Sequence, residues 1–388
     1  LAKQLDMSFF KEFKNNLRLT RDYLACSAVQ YSLQNECAVV RIDAIGDYML
    51  WRDQGNILCN YLKSRGLRTV LIANDLWADL AARELNFDEV IPVNRRLFRK
   101  SVMYRLRIMQ ALRRRGFCEV YNPTYSRDLL ISDSLVRSCG APVSVGFDGD
   151  FTIRTKADRV KGDRWYSRLV PTPNKQLHEL LRNREFVKSI INATAPVPTA
   201  KNMTDTVHKQ PYFVIAPGAG WQGRQWPTGN FIEIAHKILT RHPHWHCVIV
   251  GSQNERHLAD SISSSLLDRV DNRVGATTID ELVTIVSSAQ IVIANESATG
   301  HIAAMHNVPS VVILGGGHFG RFMPYPENLC EEAILPPTCI YYRMDCFGCD
   351  WKCIYRNKAF TLVPCISQIT PESLWNAVEV NLHSAQIK

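Results

Sequence analysis

The chain is predicted to be an α/β protein with two doubly wound, Rossmann-like parallel sheets in tandem and a cysteine-rich C-terminal insert. Three features of the sequence carry that prediction. Short apolar, β-branched runs alternate with stretches of helical length, the mark of βαβ units. The alternation breaks once, in a polar, proline-bearing stretch at 194–211, and then restarts. The length of 388 residues suits two domains of ordinary size. The expected division is a first domain over 1–193, a linker over 194–211 and a second domain over 212–388, with the cysteine-rich segment at 330–365.

Residues 1–35 read as helical, with Phe9, Phe10, Phe13, Leu17, Tyr23 and Leu24 on an apolar side. Strands are expected at 37–42, 69–73, 88–93, 118–123 and 142–147, each a short apolar run. Between them, helices are expected at 43–62, 75–85 with Asp75 as its cap, 98–116 and 126–140. Gly46 supplies a permissive backbone at the turn into the first of these. From Asp148 to Lys175 the periodicity fades, which predicts loops, and a helix follows at 176–193. In the second half, strands are expected at 212–217, 246–251, near Val274, at 289–294 and at 309–316. Helices are expected at 230–242, 254–267 and 279–289, with a closing helix at 371–385.

A hydrophobic content of 46% with 21% charged residues is that of a globular chain. No apolar run approaches the roughly 20 residues that cross a bilayer. The first residues, LAKQLDMSFFKEFKNN, are amphipathic and lack a signal peptide's apolar core, so a cytoplasmic protein is expected. The net charge of +9 is uneven: the run from Arg95 to Arg115 contains no acidic residue. One-sided charge favours an anionic partner such as an acidic glycolipid, or peripheral contact with an anionic inner-membrane surface. Nucleic acid is not expected, because no nucleic-acid-binding signature accompanies the run.

In doubly wound sheets, ligands sit beyond the carboxyl ends of the strands, which directs attention to four loops. In 217-PGAGWQGRQWP-227, Gly218, Gly220 and Gly223 leave strand-end backbone uncovered, and Arg224 can reach an anion. In 295-NESATGH-301, a buried strand ends and a helix of small residues begins with Ser297 as its cap. Such a helix start is a ready anion site. The other two loops are 43-DAIGD-47 and 251-GSQNE-255.

Taken together, 41-RIDAIGDYML-50, 224-RQWP-227 and 295-NESATGHIAA-304 resemble, in order, the motifs of the ADP-heptose lipopolysaccharide heptosyltransferases, a glycosyltransferase family with the two-domain GT-B fold. The resemblance implies an inverting glycosyltransferase whose two domains face a cleft and whose catalysis needs no metal. It implies transfer of a heptose-like sugar from a nucleotide diphosphate, ADP-heptose first, to a lipopolysaccharide or other surface-glycan acceptor. By the same resemblance, Asp47 is the base toward the acceptor hydroxyl, with Asp43 as the fallback. The donor side is implied at Ala219, Gly220, Arg224, Gln253, Thr277, Glu296, Ser297, Ala298 and His301. Gln253 and Thr277 would line the nucleoside pocket, and His301 would meet the phosphate or the donor sugar. Three residues depart from the family pattern: Arg224 stands for its Lys, Glu296 for its Asp and Ala298 for its Gly. A binding protein that has lost catalysis is the non-enzymatic alternative those departures allow.

Of twelve cysteines, Cys26, Cys37, Cys59, Cys118, Cys139 and Cys247 are scattered and expected as buried thiols. The C-terminal group differs. Cys346, Cys349 and Cys353 have metal-ligand spacing and Cys365 follows, so one structural zinc or iron ion is expected, with Cys339 and Cys330 as competing ligands. This metal-binding insert resembles that of the related autotransporter heptosyltransferases, which implies a protein adhesin as the alternative acceptor.

Overall fold

A computed structural model of the chain describes residues 2–153, 155–172, 176–193, 210–327, 334–355 and 362–386. The chain divides into two compact units, Leu1–Lys175 with Arg182–Ala195, and Gln176–Leu181 with Pro196–Lys388. The segment Gln176–Leu181 therefore belongs with the second unit, although the sequence assigns it to the first. Of the expected linker, 194–209 lies outside the described residues. Among the described residues, no helix is long and apolar enough to cross a membrane.

The first unit holds a six-stranded parallel sheet: β1 (Gln34–Arg41), β2 (Arg68–Asn74), β3 (Glu89–Val93), β4 (Phe117–Asn122), β5 (Val143–Phe147) and β6 (Arg168–Val170). Their order is β3-β2-β1-β4-β5-β6, so the winding reverses between β1 and β4. The second unit repeats the plan with β7 (Tyr212–Ala216), β8 (His246–Ile249), β9 (Val270–Asn272), β10 (Val292–Asn295), β11 (Ser310–Ile313) and β12 (Thr338–Ile340). Here the order is β12-β11-β10-β7-β8-β9, again all parallel, and the winding reverses between β7 and β10. Adjacent residues such as Val39 and Val40, or Ile291 and Val292, are both fully buried, so both sheet faces are covered. That is why these strands read as continuous apolar runs.

Several expectations need correction. The helix expected over 98–116 is two, Arg95–Lys100 and Val102–Arg115. Ser101 breaks it by turning its side chain to accept from the Tyr104 N–H, which caps the second piece. The helix expected over 126–140 is only Ser132–Cys139. The Asp128 carboxylate accepts from the Leu130 N–H, a local turn that competes with helix. Within the supposed loops of 148–175 lie a helix, Lys156–Asp163, and strand β6. Thr155 and Asp158 start that helix with a reciprocal capping box. Asp75 caps nothing: Trp77 occupies the cap position, and the Asp75 carboxylate instead accepts from Asn94. The strand expected near Val274 is β9, just before it, and β12 was not expected at all.

The charge of the 95–115 run is partly internal, against the expectation of one basic face. Arg105 is buried and paired with Asp22 at 2.6 Å. Arg115 is bonded to Glu36 and Glu89, and Arg113 lies over the Tyr31 ring at 5.0 Å. Arg96, Arg99, Lys100, Arg107 and Arg114 are exposed, interleaved with exposed Leu97, Val102 and Met103.

Candidate active site

Because the winding reverses between β7 and β10, the loops leaving these two strands diverge and open a crevice at their carboxyl ends. Asn295, the last residue of β10, is fully buried and ties the two loops together. Its amide donates to the Pro217 carbonyl at 2.7 Å, and its oxygen accepts from the Trp226 N–H at 3.2 Å. One side chain thus holds both ends of the glycine loop 217–227. Trp226 is buried behind it and donates to the Ile369 carbonyl at 2.8 Å.

The crevice is a cavity of about 580 Å³, in the range that small-molecule ligands occupy. It brings together Ala219, Gly220, Arg224, Glu296, Ser297 and Ala298 of the predicted donor residues. Ser297 takes the cap position of the helix Ala298–Met305 but makes no capping bond, contrary to its expected role. Its hydroxyl is buried and meets no partner among the described residues. The helix start thus keeps its N–H groups uncovered by any side chain, which favours an anion there. Gly300 sets the helix close to the sheet: a Cβ there would come within 2.9 Å of Val312.

Arg224 closes a short 3₁₀ turn, Gln222–Arg224, and reaches across to the other loop. Its guanidinium lies 3.0 Å from the Glu296 carboxylate and donates to the Glu296 carbonyl at 3.3 Å. Burial pushes the Glu296 carboxyl above its usual range, with Arg224 opposing the shift. A second carboxylate was missed in the sequence. Glu255 accepts from the Ser252 N–H at 2.6 Å and lines the cavity, and a Cβ on Gly218 would collide with it. The Ser-x-x-Glu spacing of 252–255 is a capping box and was the available signal.

Three predicted donor residues do not line this cavity. Gln253 and Thr277 follow β8 and β9, with Gln253 packed on Gly275. His301 is buried, with its Nδ1 hydrogen-bonded to the Tyr325 hydroxyl at 2.9 Å. Burial, with His178 nearby, pushes its pKa down to about 3, so the ring is neutral. His178 is bonded to the Phe322 carbonyl through Nε2 and accepts from the Leu180 N–H through Nδ1.

In the first unit, Asp47 lies half-buried in the first turn of the helix Ile45–Ser64, where a carboxylate suits the helix dipole. Ala44 is the cap residue, so capping is not the task of Asp47. Asp43 is held by Arg41 at 2.9 Å and accepts from the Thr124 hydroxyl at 3.4 Å.

The C-terminal cysteines fall into two groups. Cys339 is in β12 beside Glu296, whose charge adds to burial in pushing the thiol up to about 12. Burial also raises the thiols of Cys349 and Cys365, and each feels the thiols of Cys346 and Cys353. Even so, among the described residues no three His, Cys, Asp or Glu side chains are grouped as a metal ion requires. The four-thiol donor set is of the kind that zinc or iron takes. Cys330 lies outside the described residues.

Residues 105–332, more than half of the chain, match glycosyltransferase family 9 (heptosyltransferase). The chain belongs to this family. It is a glycosyltransferase. Its sequence is 23% identical over 297 residues to lipopolysaccharide heptosyltransferase 1 of Pseudomonas aeruginosa, covering 71% of this chain and 80% of that protein. The fold resembles that of Escherichia coli ADP-heptose LPS heptosyltransferase II, with a TM-score of 0.66 and 17% identity over 90% of this chain and 99% of that one. It also resembles the iron-containing dodecameric glycosyltransferase TibC of enterotoxigenic E. coli, with a TM-score of 0.54 and 11% identity over 93% and 81%. The GT-B architecture is thus common to this chain and to the solved heptosyltransferases.

Proposed function

We propose that this glycosyltransferase transfers a heptose-like sugar, with inversion, from ADP-heptose or a close analogue to a lipopolysaccharide or other surface-glycan acceptor. The observation that carries the proposal is the pairing of an uncapped helix start, at Ser297 and Ala298, with Arg224 in one cavity at the β7–β10 switch point. Cleaving a sugar–diphosphate bond leaves negative charge on the departing nucleotide. A helix N-terminus and a guanidinium fixed in advance lower the cost of that charge as it develops. Asp47 is the proposed base, taking the proton of the acceptor hydroxyl as the new glycosidic bond forms. Asp43 is the poorer candidate because Arg41 already holds its carboxylate.

The similarity in fold to the E. coli ADP-heptose LPS heptosyltransferase II supports the donor class. The exposed mixture of Leu97, Val102 and Met103 with Arg96, Arg99 and Lys100 supports an anionic, amphipathic acceptor presented at a membrane surface. A protein adhesin as acceptor is the alternative that the cysteine-rich segment favours. A single structural zinc or iron ion on Cys346, Cys349, Cys353 and Cys365 is part of the same proposal, with no step of the reaction passing through it. The test is transfer from ADP-heptose, compared with UDP- and GDP-sugars, to deacylated lipopolysaccharide core and to an adhesin fragment. Transfer to core from the ADP sugar supports the proposal, and transfer only to the protein selects the alternative. A protein that binds the donor but transfers to neither is the binding protein.

A further inference from the structure

Resting on the donor reading of the β7–β10 cavity, we infer that Trp351 is a positioning residue that fixes the Arg224 guanidinium for the donor diphosphate. The indole face lies 4.1 Å from the guanidinium carbon, on a side chain contributed by the cysteine-rich segment. Stacking occupies the face of a guanidinium and leaves its in-plane N–H donors for phosphate oxygens. A carboxylate partner uses those donors up. Trp351 therefore holds Arg224 in a way that Glu296, its ion-pair partner, does not.

The surroundings are built to admit this ring. The end of β11 continues into 315-GGG-317, and a Cβ on Gly315 or Gly317 would come within 2.4 Å or 2.3 Å of the indole. Phe347 covers the middle glycine in the same way, at 2.3 Å. The segment is pinned there by the Gly348 N–H donating to the Gly316 carbonyl at 2.8 Å and the Asp350 N–H to the Gly317 carbonyl at 3.0 Å. On the other side, the Val363 N–H donates to the Gly223 carbonyl at 3.0 Å, one residue before Arg224.

The backbone is strained to achieve it. Asp350 and Trp351 are consecutive non-glycine residues in the left-handed region, with φ of 49° and 61°. The indole N–H is buried with no partner among the described residues. A turn selected for stability alone would place glycine at one of these positions and satisfy that donor. Both penalties are tolerated where the ring ends up, between Arg224 and the edge of Trp221 at 6.5 Å.

The experiment is titration calorimetry of ADP with the full chain carrying Trp351→Ala, Trp351→Phe, Trp351→Leu, Arg224→Ala, and Arg224→Ala combined with Trp351→Ala. Trp351→Ala should weaken ADP binding about tenfold, the range of a desolvated cation–π contact. Phe should restore most of the loss, and Leu, which has bulk but no ring, should not. In the Arg224→Ala background, Trp351→Ala should change nothing further, since it acts through that guanidinium. An equal loss in both backgrounds, or equal affinities for the Phe and Leu variants, overturns the role of Trp351. If Trp351→Ala fails to fold, the Phe and Leu pair still decides. Unchanged ADP binding by Arg224→Ala would instead overturn the donor reading itself.

Discussion

Arg224 and Glu296 form a 3.0 Å ion pair in the wall of the cavity at the β7–β10 switch point, each on a different loop. A diphosphate entering that cavity competes with the Glu296 carboxylate for the same guanidinium. Burial raises the Glu296 carboxyl above its usual range, with Arg224 opposing the shift. ADP affinity should therefore rise as pH falls through the elevated Glu296 pKa, because protonation releases Arg224. Glu296→Gln should bind ADP several-fold more tightly at neutral pH and lose that pH dependence. Calorimetry of both proteins across pH 5 to 8 checks this, and parallel profiles would remove Glu296 from the competition.

Asp47→Asn should abolish transfer while leaving ADP affinity near wild type, since the donor cavity is lined by residues of the second unit. Asp43→Asn should act differently. It strips the buried Arg41 of its carboxylate and should lower the melting temperature by several degrees. Single-turnover transfer and thermal melts on the two variants separate the base from the structural carboxylate. Near-normal transfer by Asp47→Asn would assign the proton to another group.

His301 makes stability acid-sensitive in a defined window. Its folded pKa, about 3, lies below the ordinary histidine value near 6.5 in the unfolded chain. Its contribution is complete above pH 6.5 and is lost as pH falls through that value toward 3, because only the unfolded chain takes up the proton. Melting temperatures of wild type and His301→Gln between pH 7 and 4 should converge on acidification. A constant gap between them would contradict the buried neutral ring.

Metal analysis should give one equivalent of zinc or iron per chain, and Cys349→Ser should lower both metal content and melting temperature. A metal-free protein with full transfer activity would contradict the metal site.

How much of this was legible depended on where each interaction begins and ends in the chain. Strands such as β1 and β10 were visible because both faces are buried, which writes an unbroken apolar run. β6 and β12 were not. They are three-residue strands at the sheet edges, and Arg168 or Thr338 gives no such run. The helix Lys156–Asp163 carried its own signal, the Thr155–Asp158 capping box, which the polar composition obscured. The break at Ser101 lay within a run of good helix formers, where a single capping serine is easily overlooked. Within the site, Arg224, Ser297 and Ala298 could be found because glycines and a strand-to-helix turn announce a loop at a strand end. Glu255 carried a signal of its own, the Ser-x-x-Glu spacing of its capping box. Trp351 carried none, since it reaches Arg224 from a loop distant in sequence. The same distance hid Asp22, Glu36 and Glu89, the partners that absorb part of the basic run.

The central claim is that the β7–β10 cavity holds the diphosphate of the donor on Arg224 and the start of the helix Ala298–Met305. The most direct test is binding of ADP-heptose, and of ADP alone, to wild type, Arg224→Ala and Arg224→Lys by titration calorimetry. The expected result is saturable binding by wild type, a loss of about tenfold or more in the Ala variant and partial retention in the Lys variant. ADP-heptose binding that is indifferent to Arg224→Ala would contradict the account.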